Sequence, residues 1–345
     1  MQLTKEQESS STAAGATNAT GANPREPSRR KKTVVDYLAR YGMLGAFTVL
    51  LLVFLITNAD FRQPQNLLNV LQQSSMIGIV ACGMTVMIIA GGFDLSVGAI
   101  GAASAVGAAA VMAHSGSIFL GVLGGLVIGL VTGLFNGFVI ARIGITPFVA
   151  TLGSSTLITG IVFTETNAVP ISGIPAGFIK FGLGKVGAVP IPVLVFAAIA
   201  VLTYGLLRFS RMGHYVYSVG SSREASRLAG VPVERVLFFA FVVGGIFAGL
   251  AGLVLLGQTG IGQPSAATDW PLTAIAAVVV GGTPLRGGVG GVHSAIIGTL
   301  LLGVLANALN LYGVSPYWQP AVTGLVILLA VGVDSYQRKR TGGSV

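Results

Sequence analysis

Long apolar windows without any charged side chain divide most of this chain. Asp, Glu, Lys and Arg are all absent from residues 41–59, 63–93, 95–141, 143–164, 186–207, 236–268, 270–285 and 287–333. A helix needs about 20 mostly apolar residues to cross the hydrocarbon core of a bilayer. The pattern therefore predicts a polytopic membrane protein whose spans are helices, because lipid offers no hydrogen-bond partner to an open backbone.

The lengths of the windows predict ten spans. Residues 95–141 and 287–333 each hold two spans, with turns at His114–Ser117 and Gly313–Pro316. The short window 270–285 holds either one span or a re-entrant segment, and each of the other five windows holds one span. We expect an all-α polytopic fold of about ten transmembrane helices, some of them broken or re-entrant.

The positions of the basic residues predict the orientation of the chain. An even number of spans places both termini on one side, and basic clusters lie near both ends, at Arg29–Lys32 and Arg338–Arg340. Every Lys and Arg except Arg62, Lys180 and Lys185 then falls on the same side as the termini. By the positive-inside rule that side is the cytoplasm.

Composition agrees with this interpretation and excludes several classes of protein. Charged residues make up 9% of the 345 residues, whereas an ordinary soluble chain carries about 25%. A soluble enzyme, a disordered chain and a disulfide scaffold are excluded for the bulk of the sequence, which has one cysteine, Cys82. The net charge of +9 is explained by the orientation, so we expect no nucleic-acid partner.

The chain divides into three regions. Residues 1–32 are rich in small and polar residues and predict a disordered tail that ends in a basic cluster. Residues 33–337 form the transmembrane domain, which contains a cytoplasmic loop at 208–235, and residues 338–345 form a basic tail. The apolar run 43–56 is interpreted as an uncleaved first span rather than as the core of a signal peptide, because the chain stays apolar after it.

Asp94 is the only carboxylate near the middle of a long apolar stretch, and it lies between the second and third spans. Charged groups inside membranes are costly and usually functional, which favours a residue of a transport pathway. The other interpretation is an N-cap of the third helix, which accepts backbone N–H groups. Both interpretations hold if the helix begins below the membrane surface.

Glycines indicate close packing and a repeated element. In the fourth span they recur at every fourth position, at Gly121, Gly125, Gly129, Gly133 and Gly137. This spacing allows another helix to approach closely. The pattern Gly-Gly-x-x-Leu-x-x-Gly occurs at 91–98 and again at 281–288. The recurrence is consistent with paired broken-helix elements of an internal repeat.

A short amphipathic helix is predicted in the cytoplasmic loop. It begins with the capping residue Ser222 and ends at Gly230. Ala225, Leu228 and Ala229 share one of its faces. The segment is either a solvated connecting helix or a projection that docks on a cytoplasmic partner.

Motifs that carry chemistry are scarce in the sequence. No Gly-x-x-x-x-Gly-Lys-Ser/Thr segment occurs, so the chain has no P-loop for ATP. His114, His214 and His293 lack the spacing of metal ligands, so we expect no metal site. No nucleophile–base set is evident, and we expect no enzyme activity in this chain.

Five motifs carry a family resemblance. They are Gly91–Gly98 (with Phe93 in place of the family's usual Ile), Asn136–Gly137 followed by Thr146–Gly153, Glu224–Gly230, Ala274–Gly282 and Gly313–Gln319. They occur in the family's order and cover roughly residues 66–334. On these motifs the chain resembles the permease subunits of bacterial ABC importers of the ribose, galactose, arabinose and xylose type, a group that includes the autoinducer-2 permeases.

The resemblance implies a location and partners. Such permeases lie in the bacterial cytoplasmic (inner) membrane, surrounded by lipid, and pair with a second copy or with a sister permease. They bind a cytoplasmic ABC ATPase subunit, which holds ATP and Mg, so no cofactor is expected in this chain itself. They receive a monosaccharide, a ribose-like pentose or a hexose, from an extracytoplasmic binding protein. The resemblance assigns coupling to the ATPase to Ser222, Arg223, Glu224, Ala225, Arg227, Leu228, Ala229 and Gly230.

Polar and aromatic residues predict the lining of the translocation pathway. Aromatic rings stack on the faces of sugars, and amides and hydroxyls bond sugar hydroxyls. The predicted lining consists of Phe93, Asp94, Ser96, Asn136, Phe148, Thr151, Ser154, Ser155, Asn307 and Asn310. For Asn307 and Asn310, hydrogen bonding between helices is the alternative.

Other functions stay open at this point. An ion-coupled secondary transporter or channel could act alone, although only Asp94 offers a carboxylate within the spans. An intramembrane enzyme would need a catalytic set that the sequence does not show. An ABC permease for autoinducer-2 or for branched-chain amino acids would share the architecture.

Overall fold

The computed structural model describes residues 45, 48–325, 328 and 332. Within them, seven helices are long and apolar enough to cross a membrane. They are α2 (Pro64–Ile89), α3 (Val97–Ser115), α4 (Ile118–Phe138, continued by a π-helical turn at Val139–Ile143), α5 (Pro147–Thr166), α7 (Ile191–Phe209), α10 (Val233–Thr259) and α12 (Val292–Leu311). Two shorter apolar helices are α1 (Thr48–Thr57) and α11 (Trp270–Val280).

Shorter elements connect the spans. Between α5 and α7 lie α6 (Ala176–Leu183) and a hairpin of β1 (Lys185–Val186) and β2 (Val189–Pro190). The predicted cytoplasmic loop is largely helical and consists of α8 (Arg211–Ser221) and α9 (Arg223–Leu228). A 3-10 turn at Pro316–Trp318 precedes the helical residues 319–325.

The predicted turns within both long windows are present. α3 ends at Ser115 and α4 begins at Ile118, while α12 ends at Leu311 before the turn at Gly313. α11 has 11 residues, which is too short to cross a bilayer, so it fits the predicted re-entrant alternative better.

Several sequence predictions fall outside the described residues. They concern the start of the first span, the end of the last span, and the tails 1–32 and 338–345. The total of ten spans and the side of the termini therefore stay predictions, and so do the boundaries of the three regions.

Proline and glycine set the ends of many helices. Proline is tolerated in a first turn, where its missing N–H removes no helical hydrogen bond. Four helices begin in this way, with Pro64, Pro147, Pro192 and Pro271. Glycine is favoured after a helix because it adopts the left-handed conformation without a steric penalty. Three helical segments end at such a residue, namely Gly116, Gly144 and Gly260.

α2 and α10 form the centre of the molecule. Every residue of α2 from Gly78 to Ile89 is buried. α10 packs against α2, α3 and α4. α2 also contacts α7, α11 and α12. In the turn between α2 and α3, buried residues alternate with half-buried ones.

Glycines bring α4 and α10 into direct backbone contact, which confirms the close packing that the sequence predicts. The five glycines of the α4 stripe are buried. A Cβ added to Gly129 would lie 2.7 Å from the Gly245 carbonyl oxygen, too close for any side chain. Other faces of α4 carry exposed Leu, Val and Phe side chains, which suit contact with lipid.

Candidate translocation pathway and docking site

Asp94 accepts hydrogen bonds at the centre of a buried polar cluster between α2 and α3. Asp94, Ser96 and Asn136 are each at most 1% exposed. The Asp94 carboxylate accepts the backbone N–H of Ser96 at 2.6 Å and also the Ser96 hydroxyl. The Asn136 amide donates to Asp94 Oδ2 at 3.2 Å and to Ser96 Oγ at 2.8 Å. These donors offset the cost of removing the carboxylate from water.

The prediction that Asp94 is the N-cap residue of the third helix was wrong. α3 begins at Val97, and its N-cap residue is Ser96, whose side chain makes no capping bond. Asp94 instead accepts the N–H two residues further along, as aspartate commonly does in tight turns. Asp94 therefore shapes the turn before the helix rather than capping the helix.

The first turns of α5 bind the same segment. The Leu95 N–H donates to Thr151 Oγ1 at 3.0 Å, and the Thr151 hydroxyl donates to the Pro147 carbonyl at 2.8 Å. The rings of Phe93 and Phe148 meet edge to face, with centroids 6.4 Å apart. The segment between α2 and α3 is thereby joined to both α4 and α5.

Seven predicted pathway residues meet around this turn. They are Phe93, Asp94, Ser96, Asn136, Phe148, Thr151 and Ser154. Asp94, Ser96, Asn136, Thr151 and Ser154 are buried, whereas Phe148 is 51% exposed. The buried members hold helices together, and the Phe148 side chain lies on an exposed face of α5.

The remaining three predicted residues lie outside this cluster. Ser155 follows it on α5 and is half-buried. Asn307 exchanges two amide hydrogen bonds of 2.9 Å with Asn66 near the start of α2, and Asn310 accepts a bond at 3.2 Å from Gln319. At about 1.5 Å of rise per residue, α2 separates Asn66 from the polar turn by roughly 35 Å. The two asparagines on α12 thus match the alternative of hydrogen bonding between helices.

An exposed stripe of small and polar residues runs along α5, and of its members only Gly153 belongs to a motif named above. Gly153, Thr156, Gly160 and Thr164 are spaced by three or four positions and share one exposed face. They line a groove of about 760 Å³, together with Leu157, Ile161 and Glu165. A Cβ added to Gly153 or Gly160 would meet no atom within 4 Å. The Thr156 and Thr164 hydroxyls donate to the Leu152 and Gly160 carbonyls of their own helix at 3.0 and 2.8 Å. The stripe therefore combines small side chains with hydroxyls whose oxygens can still accept a hydrogen bond.

The two Gly-Gly segments lie side by side. The segment 91–98 connects α2 to α3, and the segment 281–288 follows α11 and leads towards α12. The Gly288 N–H donates to the Ile89 carbonyl at 2.9 Å. Gly287 has φ +79°, and a Cβ there would lie 3.0 Å from the Ile89 carbonyl oxygen, so both the conformation and the space require glycine. The repeated sequence corresponds to two adjacent helix breaks.

α9 is the short helix that the sequence predicts, and its apolar face is exposed. The Ser222 hydroxyl accepts the Ala225 N–H at 3.2 Å, and Gly230 adopts φ +79° after the helix. Leu228 is 85% exposed, and Ala225 and Ala229 are exposed as well. Arg223, Glu224 and Arg227 are also exposed. Such a projecting apolar face is suited to contact with another protein.

Two hydrogen bonds connect α8 and α9 to the helix breaks. Arg223 Nη2 donates to the Gly91 carbonyl at 3.0 Å, and the Tyr217 hydroxyl donates to the Gly290 carbonyl at 2.9 Å. Burial raises the pKa of Tyr217, and the charge of Arg208 opposes that rise only in part, so the hydroxyl keeps the proton that it donates. These contacts join residues 132 and 73 positions apart, and no sequence spacing signals them.

Comparison with known proteins places this architecture in a wider group. The model of a family described as "Branched-chain amino acid transport system / permease component" matches residues 66–331. The ribose import permease protein RbsC of Escherichia coli K12 is 36% identical over 315 residues, which cover 89% of this chain and 97% of that protein. RbsC of Haemophilus influenzae is 37% identical over 295 residues, 84% of this chain and 91% of its own length. The L-arabinose transport system permease protein AraH of Escherichia coli K12 is 35% identical over 300 residues, 87% and 92% of the two chains.

Proposed function

Because the chain belongs to this family of transport-system permease components, we propose that it translocates a monosaccharide, a ribose-like pentose or a hexose, as the membrane subunit of an ATP-driven importer. It is a multi-pass protein of the bacterial cytoplasmic membrane. The observation that carries the proposal is its similarity, over 84–89% of its length, to permeases named for ribose and arabinose. These relatives favour a sugar over the branched-chain amino acids of the family description.

The exposed face of α9 supports docking on a cytoplasmic ATPase subunit. Leu228 is 85% exposed although it is a large apolar residue in a capped helix. Burial of such a side chain in a partner's groove contributes about 1.5–3 kcal/mol. The chain has no P-loop of its own, so ATP and Mg belong on that separate cassette subunit. The charged neighbours Glu224 and Arg227 would form the rim of the contact.

The bonds of α8 and α9 to the helix breaks support a route for coupling. A movement of α9 with the ATPase pulls on the Gly91 carbonyl through Arg223. The same movement reaches the second helix break through α8 and Tyr217. Since the turn at Asp94 is joined to α4 and α5, its displacement shifts the balance between inward-open and outward-open states.

The groove on α5 supports a pathway shared by two permeases. The small and polar stripe faces outward, so one chain supplies only one wall. A second permease, identical or a sister subunit, would supply the opposite wall and enclose water between them. Hydroxyls at Thr156 and Thr164 would then offer transient bonds to sugar hydroxyls, while an extracytoplasmic binding protein delivers the sugar and supplies the affinity.

The rival function, an ion-coupled transporter that acts alone, has weaker support. Proton coupling requires a carboxylate that alternates its access to water. Asp94 is fully buried, and its oxygens accept bonds from Ser96 and Asn136. The geometry is that of a structural carboxylate.

Reconstitution tests the proposal. The full chain is purified from its host with its cassette ATPase and binding protein and placed in liposomes. Ribose, arabinose, xylose, galactose, autoinducer-2 and leucine are compared as stimulants of ATP hydrolysis and as transported solutes. Stimulation and ATP-dependent uptake of a monosaccharide support the proposal. Stimulation by leucine or autoinducer-2 alone contradicts the substrate class, and uptake by the isolated chain under an ion gradient contradicts the importer.

A further inference from the structure

A pocket of about 270 Å³ lies where the end of α7, α8 and the start of α12 meet. Its polar lining consists of Tyr204, Arg208, His214, Tyr217 and His293. No carboxylate is among the lining residues. The pocket therefore concentrates one permanent cation, two imidazoles and two phenols without a compensating negative charge.

Arg208 supplies the permanent charge and has no ion-pair partner among the described residues. By contrast, Arg142 pairs with Glu234 at 3.1 Å. The charge of Arg208 acts on the side chains of the pocket. It lowers the pKa of Tyr217, although burial has the larger effect and raises that pKa overall. A guanidinium offers the planar pair of donors that suits a phosphate.

The two histidines lie on different walls of the pocket. His214 Nδ1 is 2.8 Å from the Ser210 carbonyl oxygen and donates to it. That bond leaves Nε2 for a ligand. His293 is exposed in the first turn of α12, where the helix dipole adds partial positive charge. A ligand in the pocket would thus touch three separate helices.

Aromatic side chains place the pocket at the edge of the membrane. Tyr204 and Phe209 are 52% and 76% exposed, and their rings meet edge to face with centroids 6.0 Å apart. They lie at the end of the apolar helix α7. Exposed tyrosines near the end of a span are typical of the membrane–water interface, and basic pockets between spans on the cytoplasmic side bind anionic headgroups.

We propose that this pocket binds the phosphate group of an anionic phospholipid, held by Arg208, His214 and His293. The assignment to the cytoplasmic leaflet rests on the proposed orientation of the importer. A bound headgroup bridges α7, α8 and α12. It therefore holds α8 against the helix break that Tyr217 contacts at Gly290, and it makes the stability of this junction depend on the lipid composition.

Binding is tested with the full chain in nanodiscs of phosphatidylcholine, with and without phosphatidylglycerol. Thermal unfolding is measured for the natural chain, for Arg208→Gln and for His293→Gln. Arg211→Gln is the matched control, because Arg211 is exposed at the start of α8 and does not line the pocket. Inorganic phosphate and glycerol 3-phosphate are added to the phosphatidylcholine nanodiscs in a second arm, with chloride at equal ionic strength as the reference.

The expected result is a higher unfolding temperature of the natural chain and of Arg211→Gln when phosphatidylglycerol is present. Arg208→Gln should lose most of that increase, with an affinity for the lipid about tenfold weaker, since a hydrogen bond to a charged group is lost. Stabilisation by the soluble phosphates, absent from Arg208→Gln, keeps the phosphate site but overturns the lipid as its ligand. No stabilisation in either arm, or equal losses in Arg208→Gln and Arg211→Gln, overturns the site.

His293→Gln keeps the test decisive if Arg208→Gln fails to fold. His293 is exposed on α12, so its replacement leaves the packing of α7 intact, and retention of the full lipid effect would overturn the site. The readout involves neither sugar transport nor ATP hydrolysis. A negative result therefore leaves the proposed importer function standing, and failure of that function leaves this measurement valid.

Discussion

The guanidinium of Arg223 donates a hydrogen bond to the carbonyl oxygen of Gly91, at 3.0 Å and across 132 positions of the chain. Arg223 is the first residue of α9, the helix that exposes Leu228. Gly91 belongs to the turn that carries Asp94. One bond thus joins the helix that exposes Leu228 to the turn of the buried polar cluster. In the proposed importer the two residues have different roles, because Leu228 would contact the ATPase and Arg223 would transmit its movement.

Arg223→Gln should reduce coupling without preventing assembly. The shorter, neutral amide cannot reach the Gly91 carbonyl, and loss of an exposed charged hydrogen bond costs roughly 1 kcal/mol, equivalent to a several-fold change in an equilibrium. We expect co-purification with the ATPase to persist, while sugar uptake per ATP hydrolysed falls several-fold. Arg223→Lys retains a hydrogen-bond donor, so its sugar uptake per ATP hydrolysed should be higher than that of Arg223→Gln. An unchanged ratio in Arg223→Gln would show that this bond does not transmit movement.

Leu228→Asp should abolish binding of the ATPase and leave the permease folded. Leu228 is 85% exposed, and substitutions at exposed sites change the free energy of unfolding by about 0.5 kcal/mol or less. A carboxylate in an apolar partner groove is strongly unfavourable. Co-purification and thermal unfolding measure the two effects, and Leu228→Met, which stays apolar, is the matched control. Full ATPase binding by Leu228→Asp would remove α9 as the docking helix.

Gly160→Leu should block transport by filling the groove on α5. A Cβ at Gly160 meets no atom within 4 Å, so the side chain projects into the groove rather than into the fold. Gly205→Leu on α7 is the matched control, since Gly205 is also free of neighbours within 4 Å and does not line that groove. Uptake by the reconstituted importer should fall at least tenfold in the first variant only. Equal uptake by both would exclude the groove from the pathway.

Asp94→Ala should destabilise the fold. The change leaves the Ser96 N–H, the Ser96 hydroxyl and part of the Asn136 amide without the acceptor that they bind. Each buried group left unpaired costs about 1–3 kcal/mol. Thermal unfolding in detergent measures the loss, and Asp60→Ala is the control because its bond to Gln63 is exposed. A normal unfolding temperature for Asp94→Ala would contradict a structural role.

Gly129→Val should separate α4 from α10. The new side chain would overlap the backbone of α10, since even a Cβ would lie 2.7 Å from the Gly245 carbonyl oxygen. Overpacking of this kind typically costs about 1–3 kcal/mol. The unfolding temperature should fall, whereas Gly205→Val, which meets open space, should leave it nearly unchanged. Equal stability of the two variants would contradict the backbone contact.

Part of the candidate site can be predicted from the sequence. The lone carboxylate within apolar windows identifies Asp94, and the motifs of the family resemblance add Ser96, Asn136 and Thr151. The sequence did not show that the N-cap residue is Ser96 rather than Asp94, because this depends on the residue at which α3 begins. Asn307 and Asn310 illustrate the same limit, since polarity alone does not distinguish a lining amide from one that bonds a neighbouring helix.

The sequence by itself determined the class of protein, the course of most spans, the glycine stripe of α4 and the capped helix α9. These features depend on composition and on short-range periodicity, which one segment carries without reference to the others. Only the tertiary structure decided which face of α5 is open, that Arg223 binds Gly91, and that Arg208, His214 and His293 share a pocket. Such features depend on which helices pack together. Regularly spaced glycines give the same sequence pattern whether a neighbouring helix covers them, as on α4, or leaves them exposed, as on α5.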